Sequence, residues 1–210
     1  MIMNRHQRHR PQIEMIESDR EETLLIDGGQ AMQAWETDLM HRSADLLCGY
    51  GSRFLEVGLG LGISALRIAG AATTARHTVI EKYARVIDFF TERHPDPPPA
   101  LKIVRADIVD HVDILEPGSL DGIFFDPYFP QEMLDDIAMW NHLVPAMRRA
   151  LRIGGALVPF ATTKPVLRWQ FAPFFDRVIC ERRRFEAYEG TNYMTTNQGT
   201  AWIQTFIRTD

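Results

Sequence analysis

The chain has 210 residues, 45% of them hydrophobic and 24% charged, a balance that suits one soluble globular domain with a sizeable core. Its net charge of -5 argues against a protein that grips nucleic acid chiefly through phosphates. Cys48 and Cys180 lack Cys-x-x-Cys spacing, so neither a zinc site nor a disulfide framework is indicated, and no apolar run reaches the length of a membrane span. A reduced, cytoplasmic setting without a membrane partner is expected.

Residues 1–12 are polar and basic and read as a mobile tail; a metal site at His6 and His9 is the weaker reading. Two strand-like runs, 13–17 and 22–26, flank a charged turn and suggest a hairpin, after which Gly28-Gly29 breaks the chain. Residues 30–47 have helical character, with Met32, Trp35, Leu39 and Met40 at helical spacing and Glu36 beside Trp35. Taken alone, Glu36 reads as a solvated helix acid. Residues 13–50 together are expected to cover a domain formed by 51–210.

Next comes Phe54-Leu55-Glu56-Val57-Gly58-Leu59-Gly60-Leu61-Gly62, an apolar run that meets three glycines at alternate positions and leads into a helical stretch, 63–68. This reads as a buried parallel strand, a tight turn and a helix start, with glycines where the backbone must turn and approach a ligand closely. A second short strand, 77–81, ends in Glu81. In dinucleotide-binding folds an acid there accepts the ribose hydroxyl protons. A helix over 83–94 is closed by Pro95-Asp96-Pro97-Pro98-Pro99, and a third strand, 101–104, is followed by Asp107 and Ile108. Asp107, Asp110 and Asp113 are also consistent with an acidic helix start that favours the dipole.

The fourth strand, 121–125, runs into Asp126-Pro127-Tyr128-Phe129-Pro130. Ligands of open α/β sheets lie beyond the carboxyl ends of the strands, so Asp126 is expected at the crevice that the glycine turn lines. An acid there suits an amine-like acceptor, holding a cation, orienting a nitrogen and taking a proton. The competing role is a helix cap for 131–151. Strands at 177–180 and 201–207 are expected to form an antiparallel end of the sheet, with Arg182-Arg183-Arg184 on a solvated edge and Tyr188, Asn192 and Tyr193 in a loop that could line the substrate mouth.

The Glu-x-Gly-x-Gly-x-Gly pattern at 56–62 resembles motif I of the class I methyltransferases that use S-adenosylmethionine (SAM). Residues 31–41 (Ala-Met-Gln-Ala-Trp-Glu-Thr-Asp-Leu-Met-His), 55–65, 77–81, 121–128 and 151–157 are similar, in order and spacing, to the guanidinoacetate methyltransferases and their arginine-modifying relatives. The resemblance covers roughly residues 24–160. It implies an α/β, Rossmann-like fold with a mostly parallel seven-stranded sheet, helices on both faces and an N-terminal hairpin and helix as cover. It implies SAM as cofactor, held by Glu56, Gly58, Gly60, Gly62, Glu81, Asp107, Ile108 and Met32, and no metal. Glu36 and Asp126 would be catalytic, binding a small-molecule guanidino substrate with Tyr128, Trp35 and Thr162. A guanidinium offers N–H donors in a fork that matches carboxylates, and two acids can localise its charge and accept the departing proton. This sequence departs from the family at Pro127, which stands where a small hydroxyl residue is usual. It also departs in the loop 108–118, and in 161–165 and Arg168, which fall where the family recognises the substrate carboxylate. Two other readings remain at this point. One is a nucleic-acid amino methyltransferase, suggested by Asp126-Pro127-Tyr128-Phe129 and opposed by the net charge; the other is a SAM-binding partner protein without catalysis. A homodimer is compatible with the sequence.

Overall fold

A computed structural model describes residues 11–18, 21–194 and 196–210. Ten strands and six α-helices follow one another as β1 (Ile13–Glu17), β2 (Glu22–Ile26), β3 (Gly29–Gln33), α1 (Thr37–Cys48), β4 (Arg53–Val57), α2 (Ile63–Ala69), β5 (Arg76–Glu81), α3 (Ala84–Arg93) and β6 (Leu101–Arg105). They continue as α4 (Ile108–His111), β7 (Leu120–Phe125), α5 (Gln131–Leu134), α6 (Ile137–Ala150), β8 (Leu151–Pro159), β9 (Arg177–Glu186) and β10 (Gln198–Ile207). A single 3-10 turn, Ala34–Glu36, precedes α1. The expected tail, with His6 and His9, lies almost wholly outside the described residues.

The main sheet has the order β6-β5-β4-β7-β8-β10-β9. The first five strands are parallel and β10 is antiparallel to both its neighbours. β4 and β7 lie at the centre, and every residue of β7 is buried. That is why their sequences read as continuous apolar runs and not as alternating ones. Leu47, Phe54, Ile68, Phe90 and Phe124 pack on the face covered by α1, α2 and α3. Leu55, Ile123, Trp140, Leu143 and Phe206 pack on the other, against α4 and α6. The chain order reverses between β4 and β7, and the carboxyl ends of those strands open on a crevice there.

One buried acid braces the opposite end of the sheet. Asp121 Oδ2 accepts from the Ser52 and Arg53 N–H groups at 2.9 and 2.8 Å, and Oδ1 accepts from Arg152 Nε at 2.7 Å. Burial opposes its charge, but these donors outweigh burial and hold the carboxyl below its usual range. Asp121→Ala leaves three donors unanswered and is expected to cost about 3 kcal/mol in urea unfolding at pH 7. Because the folded carboxyl titrates low, its contribution is present above the unfolded value and lost on acidification, so the gap to wild type should narrow below pH 4.

Two expectations are corrected. Residues 30–33 are strand, not helix: Asp27 (φ 51) and Gly28 (φ 75) are both left-handed, and they fold β3 back on β2 as a third strand of a small antiparallel sheet. The stretch 131–151 is two helices, with Asp136 capping the second by accepting from the Met139 N–H at 2.9 Å. Asp126 is therefore not a helix cap. Arg183, on the edge strand β9, pairs with Glu181 at 2.6 Å. Among the described residues no helix is long and apolar enough to cross a membrane, and no cluster of metal-ligating side chains occurs.

Candidate active site

The crevice is roofed by Leu24, Ile26, Ala31 and Met32 of the small sheet. Its floor is the turn after β4. Gly58 (φ 89) and Gly60 (φ 52) are left-handed. A Cβ on Gly58 would overlap the Asp126 carbonyl, and one on Gly60 would overlap the Met32 sulfur. The Met32 thioether already accepts the Leu61 N–H at 3.1 Å, so roof and floor meet there. Gly60→Ala is expected to push Met32 aside and lower SAM affinity at least about tenfold by calorimetry, with the strained backbone adding to the loss.

At the carboxyl end of β5, Glu81 is buried against the same turn. Its Oε2 accepts the Leu59 N–H at 2.9 Å and its Oε1 the Tyr83 N–H at 2.8 Å. Burial raises its pKa, although these hydrogen bonds oppose the rise. Each oxygen keeps a further lone pair for a ligand. Asp107 lines the crevice too and caps α4, accepting from the Val109 N–H at 3.0 Å, and buried Ile108 follows it into the wall. Asp107 thus caps α4 and stands in the crevice wall at once.

Glu56, Gly62, Trp35 and Thr162 stand outside the crevice walls. Glu56 is fully buried beneath the floor, its Oε1 hydrogen-bonded by the Ser64 hydroxyl and its Oε2 3.0 Å from His77 Nε2. Strand period puts Glu56 on the same face as Phe54, toward α2, and so it ties strand to helix where a cofactor contact was expected. Gly62 makes room for the Phe90 ring, Trp35 packs on Phe185 and Tyr193, and Thr162 pairs with Trp202 in an isolated bridge.

Of the two acids expected at the acceptor, Asp126 lines the crevice and its charge is felt at Glu36. Asp126 follows β7, with its N–H bonded to Val57 O at 3.0 Å, and its half-buried carboxylate has no hydrogen-bond partner among the described residues. Burial pushes its pKa up to about 7, with Arg168 opposing and Glu56 adding to the rise. Glu36 is 3% exposed at the end of the 3-10 turn; its Oε1 accepts from the Gln33 N–H at 2.9 Å and from the Tyr193 hydroxyl. Burial and then the charge of Asp126 push it up to about 8, against the Tyr193 and Gln33 hydrogen bonds. Burial and the Glu36 charge also keep the Tyr193 phenol protonated. Tyr128 lines the crevice, and its hydroxyl lies against Gly29 of the roof.

The loop before β10 is laced to the roof. Gln30 Nε2 donates to Gly190 O at 2.9 Å and its Oε1 accepts the Asn192 N–H at 2.8 Å. Gln33, 1% exposed, accepts at Oε1 from the Thr191 hydroxyl (2.6 Å) and Trp35 Nε1 (3.0 Å), and donates through Nε2 to the Thr23 hydroxyl at 2.9 Å. Gln30, Gln33 and Thr191 carry no local signal in the sequence, because their partners are distant along the chain.

This sheet order with its glycine turn is the architecture of the class I methyltransferases. Spermidine synthase from Thermotoga maritima superposes with a TM-score of 0.64 at 16% identity, over 94% of this chain and 72% of that one. The precorrin-6y C5,15-methyltransferase of Geobacter metallireducens superposes with a TM-score of 0.57 at 14% identity, over 81% and 89%. Protein arginine N-methyltransferase 2 of Neurospora crassa is 36% identical over 72 residues, which are 32% of this chain and only 17% of that protein. The family model for guanidinoacetate N-methyltransferase matches residues 6–165. The chain belongs to that family, and with it to the SAM-dependent methyltransferases.

Proposed function

We propose that the chain transfers a methyl group from SAM to the guanidino nitrogen of a small molecule, with Glu36 and Asp126 as paired acceptor carboxylates. The observation that carries this reading is their mutual environment. Glu36 is buried and Asp126 half-buried, burial raises the pKa of each, to about 8 and about 7, and the charge of Asp126 adds to the rise at Glu36. Two acids in that state form a receptor for one cation, because a guanidinium between them restores both to the charged form. Glu36 Oε1 is already taken by Gln33 and Tyr193, which leaves Oε2 for the acceptor, while both Asp126 oxygens remain open.

The crevice fits the cofactor the family implies. Gly58 and Gly60 allow close backbone approach, Glu81 offers ribose acceptors, and Met32, Asp107 and Ile108 complete the walls. When bound, SAM supplies a methyl group activated by its sulfonium charge. Glu36 Oε2 and Asp126 would then hold the guanidinium plane and aim one nitrogen at that methyl. As the methyl's bond to sulfur broke, its electrons staying on sulfur, and the new N–C bond formed, that nitrogen would shed a proton, which Asp126 would accept.

The test is mass spectrometry after incubation with SAM and guanidinoacetate, free arginine, a longer guanidino metabolite, an arginine peptide or an adenine-containing oligonucleotide. A single methyl on a small guanidine is the expected result. Methylation of the oligonucleotide alone would sink the reading.

A further inference from the structure

Behind Asp126, on the side away from the glycine turn, lies a second cavity, walled by the aromatic rings of Phe125, Phe129, Trp140 and Phe171 and by Arg168. Arg168 belongs to the segment after β8. It is pinned there: Nη2 donates to Phe160 O at 2.6 Å and to Ala161 O at 3.3 Å, and its main-chain N–H donates to Gln204 Oε1 at 3.0 Å. Gln204 is itself held, donating through Nε2 to Val166 O at 2.7 Å. The Arg168 Nε is buried and finds no acceptor. A guanidinium sunk among aromatic rings with a donor unspent is costly unless an anion compensates it. The carboxylate that shares the cavity with it is Asp126.

The groups acting on Asp126 come from every side. Glu56 approaches from β4, Glu36 from the 3-10 turn and the neutral Tyr193 from the loop before β10. Glu56 repels its charge, Asp126 in turn raises the pKa of Glu36 and Tyr193, and Arg168 is the cation set against Glu56 among the described residues.

We propose that Arg168 is a positioning residue for methyl transfer, its buried guanidinium keeping the Asp126 carboxylate ionised and presented to the acceptor from behind. This rests on Asp126 as the proton acceptor. Without a fixed cation the Asp126 carboxyl would keep its proton to higher pH, and near neutrality the acceptor would meet less charge than the reaction needs. The pinning to Phe160 O and Ala161 O matters as much as the charge, since it stops the guanidinium from following the carboxylate into the crevice.

The test compares wild type, Arg168→Gln and Arg168→Lys in the full chain, with Gln204→Leu as a variant that loosens the same segment but leaves the charge. Two readouts are used: the Asp126 carboxyl titration, followed by NMR in 13C-aspartate-labelled protein, and kcat/KM from pH 5.5 to 9.5. Arg168→Gln should move the Asp126 titration and the acidic limb of the profile up by about one pH unit. Activity would then be down about fivefold at pH 7, approaching tenfold at pH 5.5, and largely recovered at pH 9, with SAM affinity unchanged. Arg168→Lys and Gln204→Leu should keep the wild-type limb. An Asp126 titration unmoved in Arg168→Gln, or a loss equal at every pH, overturns the proposal and makes Arg168 a brace only. Should Arg168→Gln not fold, a limb displaced in Arg168→Lys overturns it and an unmoved one upholds it. A wild type that methylates no guanidine but shows the titration shift defeats the proposed function and leaves this electrostatic role standing.

Discussion

Asp126→Asn is expected to lower methyl transfer at pH 8 by about 10³-fold or more while leaving SAM affinity within about threefold. The amide keeps the shape of the side chain but cannot take the proton, and it presents N–H donors to an acceptor that is itself all donors. A second consequence follows from the environment of the acid. Burial lifts the Asp126 pKa to about 7 from an ordinary 3.8, so the folded state holds a proton that the unfolded chain has already released between those values. The stabilisation linked to that proton is full below the unfolded value and lost as pH rises through 7, so at pH 8 the ionised acid is a net burden on the fold. Removing it, and with it the repulsion felt by Glu36, should raise stability at pH 8 by roughly 2–4 kcal/mol and much less at pH 4. Thermal melts of wild type and variant at the two pH values check this. A variant that is inactive but no more stable at pH 8 would mean that water reaches the carboxylate and screens it.

Glu81→Gln should lower SAM affinity by about 10²-fold by calorimetry, with kcat at saturating SAM changed less than about fivefold. In wild type the two carboxylate oxygens answer the Leu59 and Tyr83 N–H groups at 2.9 and 2.8 Å and still face the crevice. The amide places an NH₂ against one of those donors, so a backbone N–H goes unanswered and one ribose acceptor disappears together. The same variant should leave the Asp126 titration where it is, because Glu81 is not among the described groups that act on Asp126. An unchanged affinity would remove Glu81 from the cofactor site.

The parts of this molecule that were legible in the sequence are those written by local chemistry. Phe54 to Val57, Val79 to Glu81 and Ile123 to Asp126 are apolar runs that stop at a glycine turn or an acid. A strand buried on both faces with a polar group at its carboxyl end has few other ways to look. That was enough to place Gly58, Gly60, Glu81 and Asp126 around one crevice. The strand at 29–33 was hidden because Met32, Trp35 and Leu39 repeat at a helical interval by coincidence: Met32 points into the roof from a strand, while Leu39 belongs to a helix. The Asp27-Gly28 pair just upstream was the better guide, since it favours the left-handed turn that a tight hairpin requires. Glu56 misled for another reason. Its partner His77 lies on the neighbouring strand, and only the pairing of Phe54 with His77 reveals that the acid faces away from the crevice. Gln33, Thr191 and Tyr193 meet across more than 150 residues, a distance at which no pattern in the sequence can speak.

The lacing of the roof to the loop before β10 has a consequence for how this protein can change. The crevice walls are folded from the middle of the sequence, residues 57–129, apart from Met40 of α1 and the roof itself. The surroundings of Glu36 are instead clasped together from residues 23–36 and 188–194, two segments with no share in the central sheet. The clasp can be recut only around the roof. Exchange of the remaining positions of those two segments, with Leu24, Ile26, Ala31, Met32 and the glutamine–threonine–tyrosine buckle kept, should change the surroundings of Glu36 while the crevice walls stay as they are.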